Sequence, residues 1–224
     1  MSSILNQTSY PVIFLDIDGV MNACECDKEY LSSLSADYFD CVSPLAVERL
    51  AYICKQTGAH VMLNGTMSSL LWNNDPRACE APAYCLPDGT HMLDAMREKG
   101  IIVDGVSFDR HKHFRKIEGA AIYLSAHPEI SNFIFIEDGA IITDDDKEWV
   151  IYHYPELKEI VENMTESMHI DTNRSVDKNR IWFQPIGLSD ELAKQAIEQL
   201  QSQSRQVVKD MSVDNDDIVE ERDR

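Results

Sequence analysis

Val12-Ile13-Phe14-Leu15-Asp16-Ile17-Asp18-Gly19-Val20 is the stretch from which the fold is read. Four apolar residues run straight into two carboxylates and a glycine. A continuous apolar run of this length predicts a strand buried on both faces, and such strands belong to parallel sheets. Open α/β folds bind ligands in the crevice outside the carboxyl ends of those strands. Asp16 and Asp18 would share that edge, where packing alone gives no reason to place them.

The flanking chain extends the pattern. Residues 21–43 are polar and irregular, and Ser43-Pro44 then reads as an N-cap followed by proline at the first helical position. Leu45, Val47, Leu50, Ala51 and Cys54 form the apolar face of that helix, and Gly58 stops it. Ala59 through Leu63 is the second strand, closing in Asn64-Gly65-Thr66. A right-handed strand–helix–strand unit brings both strand ends to one edge, so Asn64 and Thr66 should lie beside Asp16 and Asp18.

Further along, Thr90–Lys99 predicts a helix, and Ile101-Ile102-Val103 starts a third strand or strand-like segment. His111-Lys112-His113-Phe114-Arg115-Lys116 leads into an alanine-rich helix ending at Ala126. Asn132–Ile136 is the fourth strand, and its close in Glu137-Asp138-Gly139 repeats the logic of the first. A helix over Pro155–Met168, a last strand at Ile181–Phe183 and a helix from Ser189 to Leu200 complete the expected core. Asp144-Asp145-Asp146 reads as a solvated loop, and Trp149, Tyr152 and Tyr154 as packing residues.

Composition narrows the function. The 224 residues suit one domain over 1–208 followed by an acidic, disordered tail at 209–224. The formal net charge is −19; seven acidic and two basic side chains in 210–224 account for −5, leaving −14 on the body. Such a body repels a phosphate backbone, which makes nucleic acid an unlikely partner. The N-terminal residues lack a basic region and a long apolar core, so no secretory signal is expected, and no run reaches the length of a membrane span. The six cysteines lack zinc-type paired spacing and read as thiols in a reducing cytoplasm.

A lone Asp-x-Asp is common, and glycosyltransferases use one as a metal site. Here, however, Asp16/Asp18, Asn64–Thr66, Lys116 and Glu137/Asp138 follow one another at successive strand ends and a helix start. In that order they resemble the four motifs of the haloacid dehalogenase (HAD) superfamily. The resemblance covers about residues 12–200 and looks closest to the small-cap branch of carboxy-terminal-domain phosphatases and the HAD domains of RNA-repair proteins. It implies a Rossmann-like, doubly wound parallel sheet. A flap would occupy about 21–43, an insertion about 139–179, and the cap would be minimal.

The resemblance also implies chemistry. Asp16 would attack phosphorus to form an aspartyl-phosphate, and Asp18 would act as acid and then as base. Mg²⁺ would be held by Asp16, the backbone carbonyl of Asp18 and Asp138, with Glu137 acting through a water. Lys116 would neutralise the nucleophile and the transferring group, with Lys112 and Arg115 as rivals for that role. Asn64, Gly65 and Thr66 would bind the phosphate. The family has Ser or Thr where this chain has Asn64, so the second motif is served either by the amide of Asn64 or by Thr66. His111 and His113 read as surface groups or contacts at the phosphate's edge. An open site implies a phosphorylated protein or peptide as substrate, with phosphotyrosine preferred. The alternatives are a nucleic-acid end phosphatase and an impaired HAD-fold binding module. The tail reads as a solubilising segment or, in a secreted bacterial effector reaching a host cytosol, as a signal.

Overall fold

The computed structural model describes residues 9–22, 24–34, 41–173 and 186–203. Its centre is a sheet of five parallel strands: β1 (Val12–Leu15), β2 (His60–Leu63), β3 (Val103–Val106), β4 (Phe133–Glu137) and β5 (His169–Asp171), in the order β3-β2-β1-β4-β5. The helices are α1 (Lys28–Ser33), α2 (Pro44–Thr57), α3 (Ser68–Trp72), α4 (Pro76–Cys79), α5 (Met92–Glu98), α6 (Lys116–Ala126), α7 (Asp144–His153), α8 (Lys158–Asn163) and α9 (residues 190–203).

Alternation along the strands explains why their sequences are apolar throughout. Ile13, Leu15, Val61, Leu63, Ile134 and Ile136 face one helical layer, which supplies Val47 and Leu50 from α2, Met92 and Met96 from α5, and Leu192 and Ala196 from α9. Val12, Phe14, Met62, Phe133 and Phe135 face the other, against Ile117 and Leu124 of α6, Val150 of α7 and Val161 of α8. Phe14 and Phe135 stack with centroids 5.0 Å apart. The molecule is therefore a three-layer α/β sandwich, Rossmann-like in topology.

Strand order positions the site. From β1 the chain winds outward through β2 to β3, then crosses to the other side for β4 and β5. The ends of β1 and β4 thus lie at the point where the winding reverses, which leaves a crevice between them. The Asp16 amide donates to the Ile136 carbonyl at 3.0 Å and keeps those two ends in register.

Local signals explain α2: the Ser43 hydroxyl accepts from the Ala46 amide, and Gly58 closes the helix at φ +69°. Elsewhere the structure corrects the sequence reading. The third strand begins at Val103, two residues later than the expected start at Ile101, and runs through Asp104-Gly105 to Val106. The register shifts between Val61 and Met62, and Gly105 sits at φ +153°. An edge strand tolerates such a bulge and the polar residue before it. Asp144–Asp146 is not a loop but the first turn of α7, where negative charge suits the helix N-terminus and Thr143 caps the Asp146 amide at 3.1 Å.

The helix expected over Pro155–Met168 breaks into a turn at Pro155–Leu157, then α8, then a turn at Glu166–Met168 that leads into the unexpected β5. Tyr152 does not pack: it is 82% exposed. The strand expected at Ile181–Phe183 and the acidic tail lie outside the described residues. Among the described residues no helix is long and apolar enough to cross a membrane, and no disulfide forms.

Candidate functional site

Asp16 directly follows β1, Glu137 ends β4 and Asp138 follows it. All three are buried, Asp16 to 4% exposure, and their carboxylates lie within 4.8 Å of one another. Lys116 opens α6 and reaches in from the other side of the crevice. Its Nζ lies 2.9 Å from Asp16 Oδ2 and 2.7 Å from Glu137 Oε2. Three carboxylates thus face one ammonium. Asp16 Oδ1 is buried with no hydrogen-bond partner among the described residues.

The electrostatics follow from that imbalance. Burial and then the Glu137 carboxylate push the Asp16 carboxyl up to about 7, against the pull of Lys116. Burial likewise raises Asp138 to about 6 and holds Glu137 above its usual range despite Lys116. Burial alone would lower Lys116, but Asp16 and Glu137 outweigh it and hold the ammonium above its ordinary value. An orphaned buried oxygen in an all-carboxylate cluster is the arrangement that a hard divalent cation relieves, so the triad can hold a metal ion.

Two glycines allow this crowding. Gly19 sits at φ +73°, and a Cβ there would come within 1.8 Å of Asp138 Oδ2. A Cβ on Gly65 would lie 2.1 Å from Asp16 Oδ1. Neither position accommodates a side chain while the carboxylates keep their places.

The other expected residues divide. The Asp18 side chain stands outside the acidic triad, half-buried. Its Oδ1 accepts from Asn22 Nδ2 at 2.9 Å, and both its oxygens lie 3.2 Å from the Tyr84 hydroxyl. Asn64 is buried beside β1, its amide N–H donating to the Leu15 carbonyl at 2.7 Å. Its Oδ1 accepts from the Ser107 hydroxyl at 3.0 Å, so only the side-chain NH₂ is left to donate to a ligand. The Gly65 amide donates to Ser68 Oγ at 2.7 Å, and Thr66 is exposed.

Of the three candidate cations only Lys116 enters the cluster. Lys112 pairs with Asp109 at 3.4 Å and Arg115 with Asp146 at 3.2 Å. His111 is exposed, and His113 Nδ1 accepts from the Asp109 amide at 3.1 Å; neither joins the acidic group.

Sequence reasoning missed Asn22, Tyr84, Ser68 and Ser107. Asn22 and Tyr84 lie in irregular stretches where no periodicity marks a residue as inward-facing. Ser68 follows the second motif by two residues, and that proximity was the available signal. The chain matches no protein-family model, no curated protein and no solved structure with which it was compared.

Proposed function

We propose that this chain is a phosphomonoesterase of the HAD type, working through an aspartyl-phosphate on Asp16. The observation that carries the reading is the Asp16 carboxylate: buried where the winding reverses, gripped on Oδ2 by Lys116 and, among the described residues, without a partner on Oδ1. Packing gains nothing from such a group.

Asp16 and Asp138 would hold the cation, with Glu137 beside them, and the all-oxygen donor set favours Mg²⁺. When bound, the ion supplies positive charge that keeps the carboxylates ionised and stabilises charge on the phosphoryl oxygens. The Asp16 carboxylate attacks phosphorus, the ester P–O bond breaks, and Asp18 gives a proton to the departing oxygen. Water then attacks the phosphorus. Asp18 takes a proton from it, the P–O bond to Asp16 breaks, and inorganic phosphate leaves. Lys116 balances charge on the nucleophile throughout, and the Asn64 amide donates to a phosphoryl oxygen.

The favoured substrate is a phosphorylated protein, with phosphotyrosine ahead of phosphoserine or phosphothreonine. Among the described residues the helices between β1 and β3, apart from the core helix α2, are seven residues or shorter, and the phenolic ester is long enough to reach a buried nucleophile. Nucleic-acid ends fit less well, because Lys112 and Arg115 are both paired with carboxylates. One observation favours a second reading, a phosphate-binding module without turnover: Asn64 stands where a hydroxyl is usual, and its oxygen is committed to Ser107.

Hydrolysis of an aryl phosphate with Mg²⁺, with EDTA and with Asp16→Asn tests the proposal. Turnover requiring both the metal and Asp16 supports it. Cation binding without turnover on any phosphomonoester favours the binding module. Faster turnover of sugar phosphates than of phosphotyrosine peptides would sink the substrate assignment.

A further inference from the structure

We infer that Tyr84 is a positioning residue for Asp18, fixing the carboxylate that exchanges protons with the leaving group and with water. The inference rests on the proposed phosphatase function. Tyr84 belongs to the segment between β2 and β3, 66 residues from Asp18 in the chain, and is only 7% exposed. Its hydroxyl is equidistant from the two Asp18 oxygens, 3.2 Å from each, while Asn22 Nδ2 closes on Oδ1 at 2.9 Å. One donor in the fork of the carboxylate and another at its side hold both the swing and the plane of the group.

The donors are themselves anchored. Asn22 Oδ1 accepts from the Gly19 amide at 2.9 Å, and its Nδ2 also reaches the Ala83 carbonyl at 3.2 Å. The Val42 amide donates to the Cys85 carbonyl at 2.8 Å, and Asn22 bridges Val42 in antiparallel fashion. Tyr84 is therefore held by the segment that follows β1, the same segment that carries Asn22. Asp18 is only half-buried, so water alone would satisfy it. A buried phenol directed at a partly solvated carboxylate restrains orientation, and orientation is what an efficient proton transfer needs.

Tyr84→Phe removes the hydroxyl and keeps the ring. The test compares kcat/KM for phenyl phosphate, whose leaving group needs a proton, with that for p-nitrophenyl phosphate, whose leaving group does not. The expected result is a loss of about 10-fold or more on phenyl phosphate and under about 3-fold on p-nitrophenyl phosphate, because only the first depends on the general acid. The same substitution in an Asp18→Asn background should then cost nothing further, since the two residues act as one unit. Equal losses on both substrates, a loss that persists in the Asp18→Asn background, or no loss in a folded variant overturns the role of Tyr84 and leaves the phosphatase function standing. A wild-type protein inactive on both esters overturns the function itself, and the inference with it.

Discussion

Two buried ion groups lie on opposite sides of the sheet, and they are built on different principles. On the α2 and α9 side, Arg49 Nη1 donates to both oxygens of Asp27 at 2.8 Å and to the Leu188 carbonyl at 3.2 Å, while its Nε reaches Asp190 at 2.7 Å. The Ser43 hydroxyl also donates to Asp27. The buried charge there is matched, and both Asp27 oxygens are occupied. On the α6 side, Lys116 contacts Asp16 and Glu137, Asp138 adds a third carboxylate, and Asp16 Oδ1 has no partner among the described residues. The first group ties the segment after β1 to two helices. The second strains against its own charge, and a structure tolerates that where a ligand completes it.

That contrast can be broken by substitution. The largest effect is expected from Asp16→Asn: turnover of an aryl phosphate should fall by about 10⁴-fold or more, as for loss of a nucleophile. The metal-free variant should melt no lower than wild type, and higher if the carboxylate is as costly as its surroundings imply. A lower melting temperature would mean that Asp16 supports the fold and would erase the distinction between the two groups.

Arg49→Met should act oppositely. It leaves Asp27 buried and unpaired, with an expected loss of about 3–5 kcal/mol in denaturant unfolding, and adding Asp27→Leu should recover most of it. Under the proposed function, aryl phosphate turnover should survive in whatever fraction remains folded.

A third test sharpens the comparison through pH. The folded-state values of Asp16, about 7, and Asp138, about 6, lie above the unfolded value of a carboxyl near ~4. The native state then binds more protons than the unfolded chain, so their contribution is fully present below pH ~4 and is lost as pH rises through 6 to 7. Metal-free melting temperatures should therefore decline across that interval, and Mg²⁺ should flatten the decline. A rise with pH in the absence of metal would contradict the raised values.

The smallest effect belongs to Asp190→Asn. That partner of Arg49 is 79% exposed, so its loss should cost no more than about 1 kcal/mol by the same unfolding measurement.

Much of the fold could be read because buried parallel strands carry a strong signature. Val12–Leu15 and Phe133–Ile136 announce themselves by unbroken apolar character, and the carboxylates that end them follow by position. Lys116 could be placed at the start of a helix whose apolar content is plain, but its place beside Asp16 was suggested only by the resemblance to the HAD motifs, with Lys112 and Arg115 as rivals. β3 and β5 were harder for a physical reason: edge strands are short and polar, and Asp104-Gly105 is indistinguishable from a turn until it is seen paired. The triple aspartate failed for a similar reason, since charge that favours solvent also favours the first turn of a capped helix. Tyr84 had no local mark at all, because its meaning comes only from contact with Asp18.

The crossing of the chain from β3 to β4 has a consequence for kinetics. Lys116 and Asp16 are 100 residues apart in sequence, and the acidic triad exists only after β1 and β4 have paired. Contacts this distant form late, after the long intervening segment has closed. Only the neighbouring pair Glu137 and Asp138 is together in the early chain, so a cation that needs all three carboxylates would find its site late. Its binding would slow unfolding and leave the rate of refolding almost untouched.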